Sequence, residues 1–210
     1  MKPTCCVAKE EINNKIQKAL LEFKLNWNSN EKVYEEMCFC ILTPQSSAKQ
    51  AIKTITLLKQ HDLLTRGTAK DKEEFLKNVR FYRTKSARLE IVQEKFAALH
   101  IKRILGEAGL PLDPIKCREF LVNEVNGYGY KEASHFLRNI GFGGEVAILD
   151  RHILKNLVKC KIINELPKTL TKKKYLEIEN KMKEFCMVHK INFAELDLVF
   201  WSNETGNVLK

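Results

Sequence analysis

The stretch NGYGYKEAS, residues 126–134, places two glycines one residue apart in front of an apolar helical pattern. Apolar residues recur at helical spacing on both sides of the glycines: Leu121, Val122 and Val125 precede them, and Ala133, Phe136, Leu137 and Ile140 follow. The run GFGG, residues 141–144, then ends the second pattern. Residues 118–140 are therefore predicted to form a helix, a glycine hairpin and a second helix.

A hairpin of this kind has a specific physical use. Glycine permits a positive φ and lets another molecule approach the backbone closely at Gly127 and Gly129. The bend and the start of the next helix point backbone N–H groups at one place, where a DNA phosphate can bind without any reading of sequence. A purely structural corner between two helices has the same local pattern, so the accompanying residues must decide between the two interpretations.

The rest of the 210-residue chain shows helical periodicity and no convincing two-residue alternation, which predicts an all-α fold. Further apolar stripes occupy residues 12–23, 33–41, 51–58, 75–79 and 91–99. Three of these stripes follow residues that favour helix N-caps: Ser46 or Ser47, Thr68, and Thr84. We therefore expect helices to begin at these positions.

Charge and composition indicate a globular protein with an affinity for nucleic acid. The chain has 36 Lys and Arg against 26 Asp and Glu, a formal net charge of +10, and basic residues concentrate in residues 80–103 and 168–174. Such a surface attracts DNA phosphates through counterion release, although lysine-rich surfaces also serve solubility alone. No apolar run approaches the roughly 20 residues that cross a bilayer, and no signal peptide is apparent. We expect an intracellular protein.

Seven cysteines, at positions 5, 6, 38, 40, 117, 160 and 186, show neither the spacing of a disulfide framework nor that of a metal site. The pair in MCFCILT, residues 37–43, falls in an apolar helical stretch and is expected to pack in the core. We therefore expect free thiols in a reducing compartment, with no zinc or iron–sulfur ligand set.

The hairpin and a later loop together resemble a known family. NGYGYKEAS followed by AILDRH, residues 147–152, is similar to the helix–hairpin–helix and Gly-Pro-Asp motif of the base-excision DNA glycosylase superfamily, the group of endonuclease III. That family has a lysine after the second glycine and an aspartate in a short loop before the next helix, which match Lys131 and Asp150. ILTPQSSAK, residues 41–49, and RFYRTKSARL, residues 80–89, extend the resemblance, which covers roughly residues 30–160.

The departures from the family pattern refine this resemblance. Val125 and Asn126 stand where the family usually has Leu-Pro, and no proline precedes Asp150. The cysteine cluster that binds iron–sulfur in endonuclease III is missing after residue 160. The short chain and its end, LVFWSNETGNVLK, look most like the compact archaeal-type 8-oxoguanine DNA glycosylase/AP lyases.

The resemblance implies a bifunctional DNA glycosylase/AP lyase that excises 8-oxoguanine through a lysine Schiff base. A neutral Lys131 amine would attack the anomeric carbon, expel the base and leave an imine, which promotes β-elimination and a strand nick. Asp150 would accept a proton and stabilise the cationic sugar. Lys131 as an exposed helix lysine and Asp150 as the N-cap of the next helix remain alternatives, and Asp150 can cap and catalyse at once.

The resemblance also implies residues that contact DNA. Gln45 matches the family's gap-filling amide, and Phe81 or Tyr82 matches the wedge that enters the duplex, with core packing as the alternative for both aromatics. A basic face is predicted to add affinity through phosphates; it consists of Arg80, Arg83, Lys85 and Arg88.

The end of the chain is predicted to recognise the damaged base. Asn192 and Glu195 form a predicted capping box for a last helix, with Trp201 directly after it. Trp201 would offer a flat surface to a flipped purine, with core packing as the alternative. The resemblance places Lys210, with its terminal carboxylate, where it could accept the N7–H that guanine lacks. His152 is expected to be structural or to contact phosphate.

Two helical lobes with the active-site cleft between them follow from the resemblance. Residues 30–128 would form a central lobe, and residues 1–29 with 129–210 a second lobe built from both chain ends. We expect a monomer that acts on double-stranded DNA containing oxidised guanine and needs no cofactor or catalytic metal, although hairpin carbonyls in this family can hold a monovalent cation. The alternatives are a glycosylase of the same fold for another lesion and a DNA-binding helix–hairpin–helix protein without enzymatic activity.

Overall fold

The computed structural model describes residues 3, 6–96, 100–206 and 208, and these residues form eleven α-helices and no β-strand. The prediction of an all-α fold is confirmed. The helices are α1 (Glu10–Asn26), α2 (Asn30–Leu42), α3 (Ala48–Gln60), α4 (Ala69–Leu76), α5 (Tyr82–Phe96), α6 (Ile101–Glu107), α7 (Pro114–Glu124), α8 (Tyr130–Asn139), α9 (Arg151–Lys159), α10 (Lys172–His189) and α11 (Phe193–Thr205). Cys5, Leu99 and Lys210, which carry predictions, lie outside the described residues.

Short polar side chains set most of the helix starts. Ser47, one of the two predicted candidates, caps α3 by accepting a hydrogen bond from the Gln50 N–H, and Thr68 caps α4 in a reciprocal capping box with Asp71. The prediction for Thr84 is wrong, because α5 begins two residues earlier, at Tyr82. Trp201 lies inside α11 instead of following it, because that helix continues to Thr205.

The first hydrophobic core surrounds α2. Every residue from Val33 to Leu42 is buried, which is the pattern of a helix enclosed on all sides, and α2 packs against α3, α5, α6 and α8. Cys38 and Cys40 are fully buried here, as the sequence predicts. The apolar residues of α8, the second helix of the hairpin motif, join the same core through Ala133, Phe136 and Leu137.

Two further apolar clusters stabilise the other side of the molecule. One lies between α9, α10 and α11 and includes Ala147 and Leu149 from the extended segment before α9. The other joins α1 to α11 through Ile16, Phe23 and Leu198. Although α8 belongs to the region predicted to start a second lobe at residue 129, its apolar residues pack with the first core. The two-lobe boundaries remain a prediction.

The cysteines depart in one place from the expectation of free thiols. Cys6, Cys38, Cys40, Cys117 and Cys186 are free and buried. Cys160 is disulfide-bonded, which corrects the expectation at this residue. Cys6 remains free although its sulfur atom lies 4.0 Å from that of Cys160, which places residue 6 against the end of α9.

Two other kinds of site are absent from the part of the chain that the structure describes. No helix there is long and apolar enough to span a membrane. Nor do the same residues bring together three or more His, Cys, Asp or Glu side chains in a way that suits a metal ion.

Candidate active site

A cavity of about 460 Å³ brings together side chains that are far apart in the sequence. Its walls come from four places: the turn after α2 with the start of α3, the inner face of α8, the end of the extended segment with the start of α9, and α11. The predicted site residues Gln45, Lys131, Asp150 and Trp201 all line it. The cavity therefore unites the two residues of the hairpin and aspartate motif with two others whose roles were predicted separately.

The glycine hairpin has the form that the sequence predicts between α7 and α8. Gly127 has a φ of +94°, which strains any residue with a Cβ atom, and such an atom would also have to displace the Arg88 guanidinium group from 2.6 Å away. Gly129 needs no left-handed conformation; it is the extended N-cap of α8, and its N–H donates to Glu132 Oε2 over 3.2 Å. No backbone N–H group among the described residues donates to the carbonyl groups of residues 126–128, the groups that would hold the monovalent cation implied by the resemblance.

Lys131 is the second residue of α8, and α8 places its side chain on the cavity wall. The side chain is 26% exposed, and its Nζ atom lies 3.6 Å from Glu132 Oε1. The helix start is fixed by the capping interaction of Glu132 with Gly129, so Lys131 projects from a defined first turn. This position differs from that of a fully exposed helix lysine, the alternative considered for this residue.

Asp150 ends the aspartate segment, the name used here for the non-helical residues 146–150. It is the N-cap of α9, as the alternative reading of the sequence predicts, and its Oδ1 atom accepts hydrogen bonds from the N–H groups of His152 and Ile153, both over 2.8 Å. The other oxygen, Oδ2, has no hydrogen-bond donor among the described residues. Capping therefore occupies one carboxylate oxygen and leaves the second for another partner.

Trp201 forms part of the cavity wall from α11. Its ring contacts His152 edge to face, with the ring centroids 5.0 Å apart and the planes at 87°, so His152 is held in place by packing. The indole Nε1 is buried and has no hydrogen-bond partner in the described part of the chain. Trp201 is half-buried and thus presents some of its surface to the cavity.

Sequence reasoning missed a buried ion pair in the same wall. Arg138 and Asp197 are 6% and 7% exposed, and Arg138 Nη2 lies 3.4 Å from Asp197 Oδ2. Burial raises the pKa of the Asp197 carboxyl group, and the Arg138 guanidinium opposes that rise. The available signal is a charged residue inside an otherwise apolar helical run, as for Asp197 between Leu196 and Leu198.

Lys85 does not belong to an exposed basic face, which corrects that prediction. Its side chain is 1% exposed, and its ammonium group donates to Leu42 O and Pro44 O over 2.7 Å and to Ser46 Oγ over 3.3 Å. Burial, with the positive charges of Arg88 and Lys131, lowers the pKa of Lys85 to about 8. The reason for this placement is that the end of α2 and the following turn need a donor for their carbonyl groups.

That turn, residues 43–46, is called the glutamine turn because it presents Gln45, which has a φ of +55° and lines the cavity. Ser46 Oγ also accepts a hydrogen bond from the N–H of Arg80 over 3.0 Å. This bond joins the turn to the loop of Arg80 and Phe81, which is also predicted to contact DNA. Phe81, beside Arg80, has a φ of +59° and is 52% exposed. The two loops therefore lie side by side.

The predicted wedge residues differ in their surroundings. The Phe81 ring is exposed and lies under the Arg80 guanidinium at 5.0 Å, whereas Tyr82 is half-buried against the first core, in line with the core-packing alternative. Arg80 and Arg83 are exposed, and Arg88 is half-buried against the hairpin. Neither Phe81 nor Tyr82 lines the cavity.

Comparison with known proteins agrees with this geometry. A family model described as 8-oxoguanine DNA glycosylase matches residues 16–191. The chain belongs to the 8-oxoguanine DNA glycosylase family. The 8-oxoguanine DNA glycosylase/AP lyase of Fusobacterium nucleatum is 47% identical over 206 residues, 96% of this chain and 94% of that protein, and the one of Methanocaldococcus jannaschii is 42% identical over 203 residues, 95% and 94% of the two chains.

Solved structures of the 8-oxoguanine DNA glycosylase family have the same fold. The crystal structure of the M. jannaschii 8-oxoguanine DNA glycosylase matches with a TM-score of 0.84 at 40% identity, over 96% of this chain and 91% of that one. The M. jannaschii glycosylase/lyase in complex with a 15-mer DNA containing 8-oxoguanine matches with the same TM-score at 39% identity, over 96% and 94%. The resemblance read from the hairpin and aspartate motifs is thereby confirmed.

Proposed function

We propose that this protein is a bifunctional DNA glycosylase/AP lyase that removes 8-oxoguanine from double-stranded DNA and then nicks the strand. The observation that carries the proposal is that Lys131 and Asp150 line one cavity beside a helix–hairpin–helix motif. The names of the relatives, 8-oxoguanine DNA glycosylase/AP lyase, support the same reaction. We further propose that the protein acts inside the cell as a monomer.

Lys131 is the proposed nucleophile. Its neutral amine attacks the anomeric carbon of the damaged nucleoside, the bond to the base breaks, and the base leaves with the electron pair of that bond. The attached nitrogen loses a proton, the C1′–O4′ bond of the sugar ring breaks, and O4′ takes a proton. The product is an imine between Nζ and C1′, which acidifies the neighbouring C–H. Loss of that proton and of the 3′ phosphate by β-elimination nicks the strand. The position of Lys131 in the first turn of α8 supports this role, because the turn is fixed by its capping interaction.

Asp150 is the proposed partner of the lysine. The Oδ1 atom is fixed by two backbone N–H groups, so the carboxylate has a defined orientation. The other oxygen is free to accept a proton and to stabilise the positive charge that develops on the sugar as the base departs. Capping and catalysis are therefore compatible in one side chain.

DNA binding is proposed to use the hairpin and the neighbouring loops. The hairpin N–H groups and the Arg88 guanidinium beside Gly127 form a place for a backbone phosphate. A base that leaves the duplex needs a replacement in the gap, and Gln45 and the exposed Phe81 are the proposed replacements. Trp201 is the proposed flat surface for the flipped base, and the role predicted for Lys210 stays a prediction.

The Lys131→Gln variant tests the proposal. We expect it to lose both base release and borohydride trapping on a duplex containing 8-oxoguanine, while it binds the duplex as the unchanged protein does, because phosphate binding does not depend on the amine. Lys155→Gln, a change in another lysine in the second turn of the neighbouring helix α9, is the control and should leave trapping intact.

A panel of lesions makes the same experiment more specific. Preferential trapping of the unchanged protein on 8-oxoguanine supports the proposed substrate, and preferential trapping on an oxidised pyrimidine or alkylated base identifies a glycosylase for that lesion. Trapping that persists in Lys131→Gln shows that a different amine is the nucleophile. Duplex binding without trapping on any lesion would leave a DNA-binding protein without this enzymatic activity.

A further inference from the structure

The backbone of the aspartate segment is held by side chains from a helix that does not line the cavity. Ala147 and Leu149 are buried, and their backbone groups find partners on α10. The Ala147 N–H donates to Glu179 Oε2 over 2.6 Å, and the Tyr175 hydroxyl donates to Ala147 O over 2.5 Å. The same hydroxyl accepts a hydrogen bond from the Leu149 N–H over 3.3 Å. Buried backbone groups require such partners, so two side chains fix the segment that leads to Asp150.

Glu179 is itself fixed by an ion pair to the first helix of the hairpin motif. Arg118 in α7 donates from Nη1 to Glu179 Oε2 over 2.6 Å and from Nη2 to Oε1 over 2.9 Å. The two side chains are 0% and 2% exposed. A bidentate pair of this kind defines both orientation and distance, so α10 and α7 are held in register at this point.

The same arginine also reaches α8. Arg118 Nη1 lies 3.3 Å from Ser134 Oγ, one turn after Lys131, and its guanidinium lies 5.0 Å from the ring of Tyr130, the residue before Lys131. One buried group of side chains, called here the buried network (Arg118, Tyr175, Glu179), therefore contacts both the helix that carries Lys131 and the segment that carries Asp150.

We propose that the buried network positions Asp150 against Lys131 across the cavity, with Tyr175 and Glu179 acting as positioning residues for the reaction. This inference rests on the proposed function, because it assigns the network a role through Asp150. None of the three residues lines the cavity, so they act through the aspartate segment and not on the substrate.

The composition of the network favours positioning over stability as its role. A buried ion pair is commonly matched or exceeded in stability by apolar side chains of similar size, because both charges must lose their water. An apolar core at this place would leave the Ala147 N–H and carbonyl group without partners. What the polar network provides is a single conformation of the chain just before Asp150.

Tyr175→Phe is the variant that tests the proposal. It removes the hydroxyl group alone and keeps the ring that packs against Tyr130, with the two centroids 5.3 Å apart. With enzyme in excess, we expect the rate of base excision from an 8-oxoguanine duplex to fall by about 10- to 100-fold, because small misplacements of a reacting group have effects of this size. Affinity for a duplex containing an uncleavable abasic-site analogue should stay unchanged.

The matched control is Tyr34→Phe. Tyr34 is also buried, and its hydroxyl donates to the backbone carbonyl of Leu64 over 3.2 Å, in the first core and away from the aspartate segment. This variant also removes a buried tyrosine hydroxyl that donates to a backbone carbonyl group, and it should excise the base at the unchanged rate. Thermal unfolding of both variants verifies that each is folded at the assay temperature.

A second background separates positioning from a general loss of structure. If Tyr175 acts through Asp150, Tyr175→Phe should add little further loss in an Asp150→Asn protein. The same fold-loss in both backgrounds, or an equal loss in Tyr34→Phe, would overturn the proposal. If Tyr175→Phe excises the base at the unchanged rate while Asp150→Asn is slow, the positioning role is overturned and the proposed role of Asp150 stands. An Asp150→Asn protein at the unchanged rate would overturn both this inference and the proposed role of Asp150.

Discussion

The aspartate segment and the glutamine turn are both irregular stretches that bring one side chain to the cavity, and they are held in different ways. The aspartate segment is held from α10 by Glu179 and Tyr175, and the charge of Glu179 is balanced by the buried Arg118. The glutamine turn is held by the ammonium group of Lys85, which bonds to two carbonyl oxygens and one hydroxyl without a carboxylate partner among those contacts.

This difference shows two ways of fixing a loop. A charge-balanced pair links distant helices and leaves the local backbone satisfied, so its removal should disturb the whole core around it. A single buried ammonium satisfies nearby carbonyl groups and remains sensitive to its own protonation. We therefore expect changes at the buried network to cost more stability than changes around Lys85.

The largest effect is expected for Glu179→Leu. This change leaves the Arg118 guanidinium buried without its carboxylate, which typically costs about 3–5 kcal/mol in the free energy of unfolding. Urea unfolding measures the loss. The double variant Arg118→Met with Glu179→Leu removes both charges and should recover most of that free energy, but not the rate of base excision, because the Ala147 N–H still lacks its acceptor. Recovery of both quantities would mean that the aspartate segment does not depend on Glu179.

The sequence indicates the motif residues of the cavity more clearly than it indicates the buried network behind them. Lys131, Asp150 and the hairpin glycines could be found because each follows from a local motif, and α8 from its apolar spacing. Glu179 falls on the apolar stripe of α10, with Tyr175, Ile178 and Met182, which marks it as buried. No local pattern, however, says that its partner is Arg118, because the two residues are 61 positions apart.

Lys85 is the opposite case, because its helical spacing indicates burial while the charge of its surroundings indicates an exposed basic face. It shares the buried face of α5 with Leu89, Val92 and Phe96, at helical spacing. A lysine on such a face is either buried with hydrogen-bond partners or lies at the edge of the core. The positive charge of the segment favours an exposed position, which is wrong for Lys85. For the ion pair of Arg138 with Asp197, the interrupted apolar run marks Asp197 as unusual, but no pattern in the sequence indicates that Arg138 is its partner.

The second prediction tests the glutamine turn directly. Lys85→Met keeps the length of the side chain but leaves the carbonyl groups of Leu42 and Pro44 without their donor, which should lower the free energy of unfolding by about 1–3 kcal/mol. Urea unfolding at pH 7 checks this, with Lys53→Met as the control, because Lys53 is exposed on α3. A loss for Lys85→Met no larger than for Lys53→Met would show that the ammonium group is not needed for the turn.

The third prediction uses the protonation of Lys85. Its pKa is lowered from 10.5 to about 8 in the folded protein, so between these values the unfolded chain binds more protons than the folded one. Stability contributed by this group therefore rises as the pH rises from about 8 to 10.5, and below pH 8 it does not change, because the amine is protonated in both states. Arg88 and Lys131 are the charges that act on it.

The measurement for this third prediction is the difference in unfolding free energy between the unchanged protein and Lys85→Met, at pH 7 and again at pH 9.5. We expect the difference to grow in favour of the unchanged protein at the higher pH. A difference that is the same at both values would contradict a lowered pKa for Lys85. Lys53→Met, measured at the same two pH values, shows how much of the change in unfolding free energy comes from losing any one lysine charge.

The smallest effect is expected for Ser46→Ala, which tests whether the glutamine turn and the neighbouring Phe81 loop act as one unit. Ser46 Oγ accepts hydrogen bonds from both the Arg80 N–H and the Lys85 ammonium, so the change removes the link between the two loops and should lower the free energy of unfolding by about 0.5–1.5 kcal/mol. Ser47→Ala is the matched control, because it removes the N-cap of α3 at a cost of about 1 kcal/mol and leaves that link intact. If Gln45 and Phe81 enter the duplex together, Ser46→Ala should slow base excision at saturating enzyme and Ser47→Ala should not, although the two lose similar stability. Equal rates for the two variants would show that the loops position their side chains independently, and that the shared serine only satisfies local hydrogen bonds.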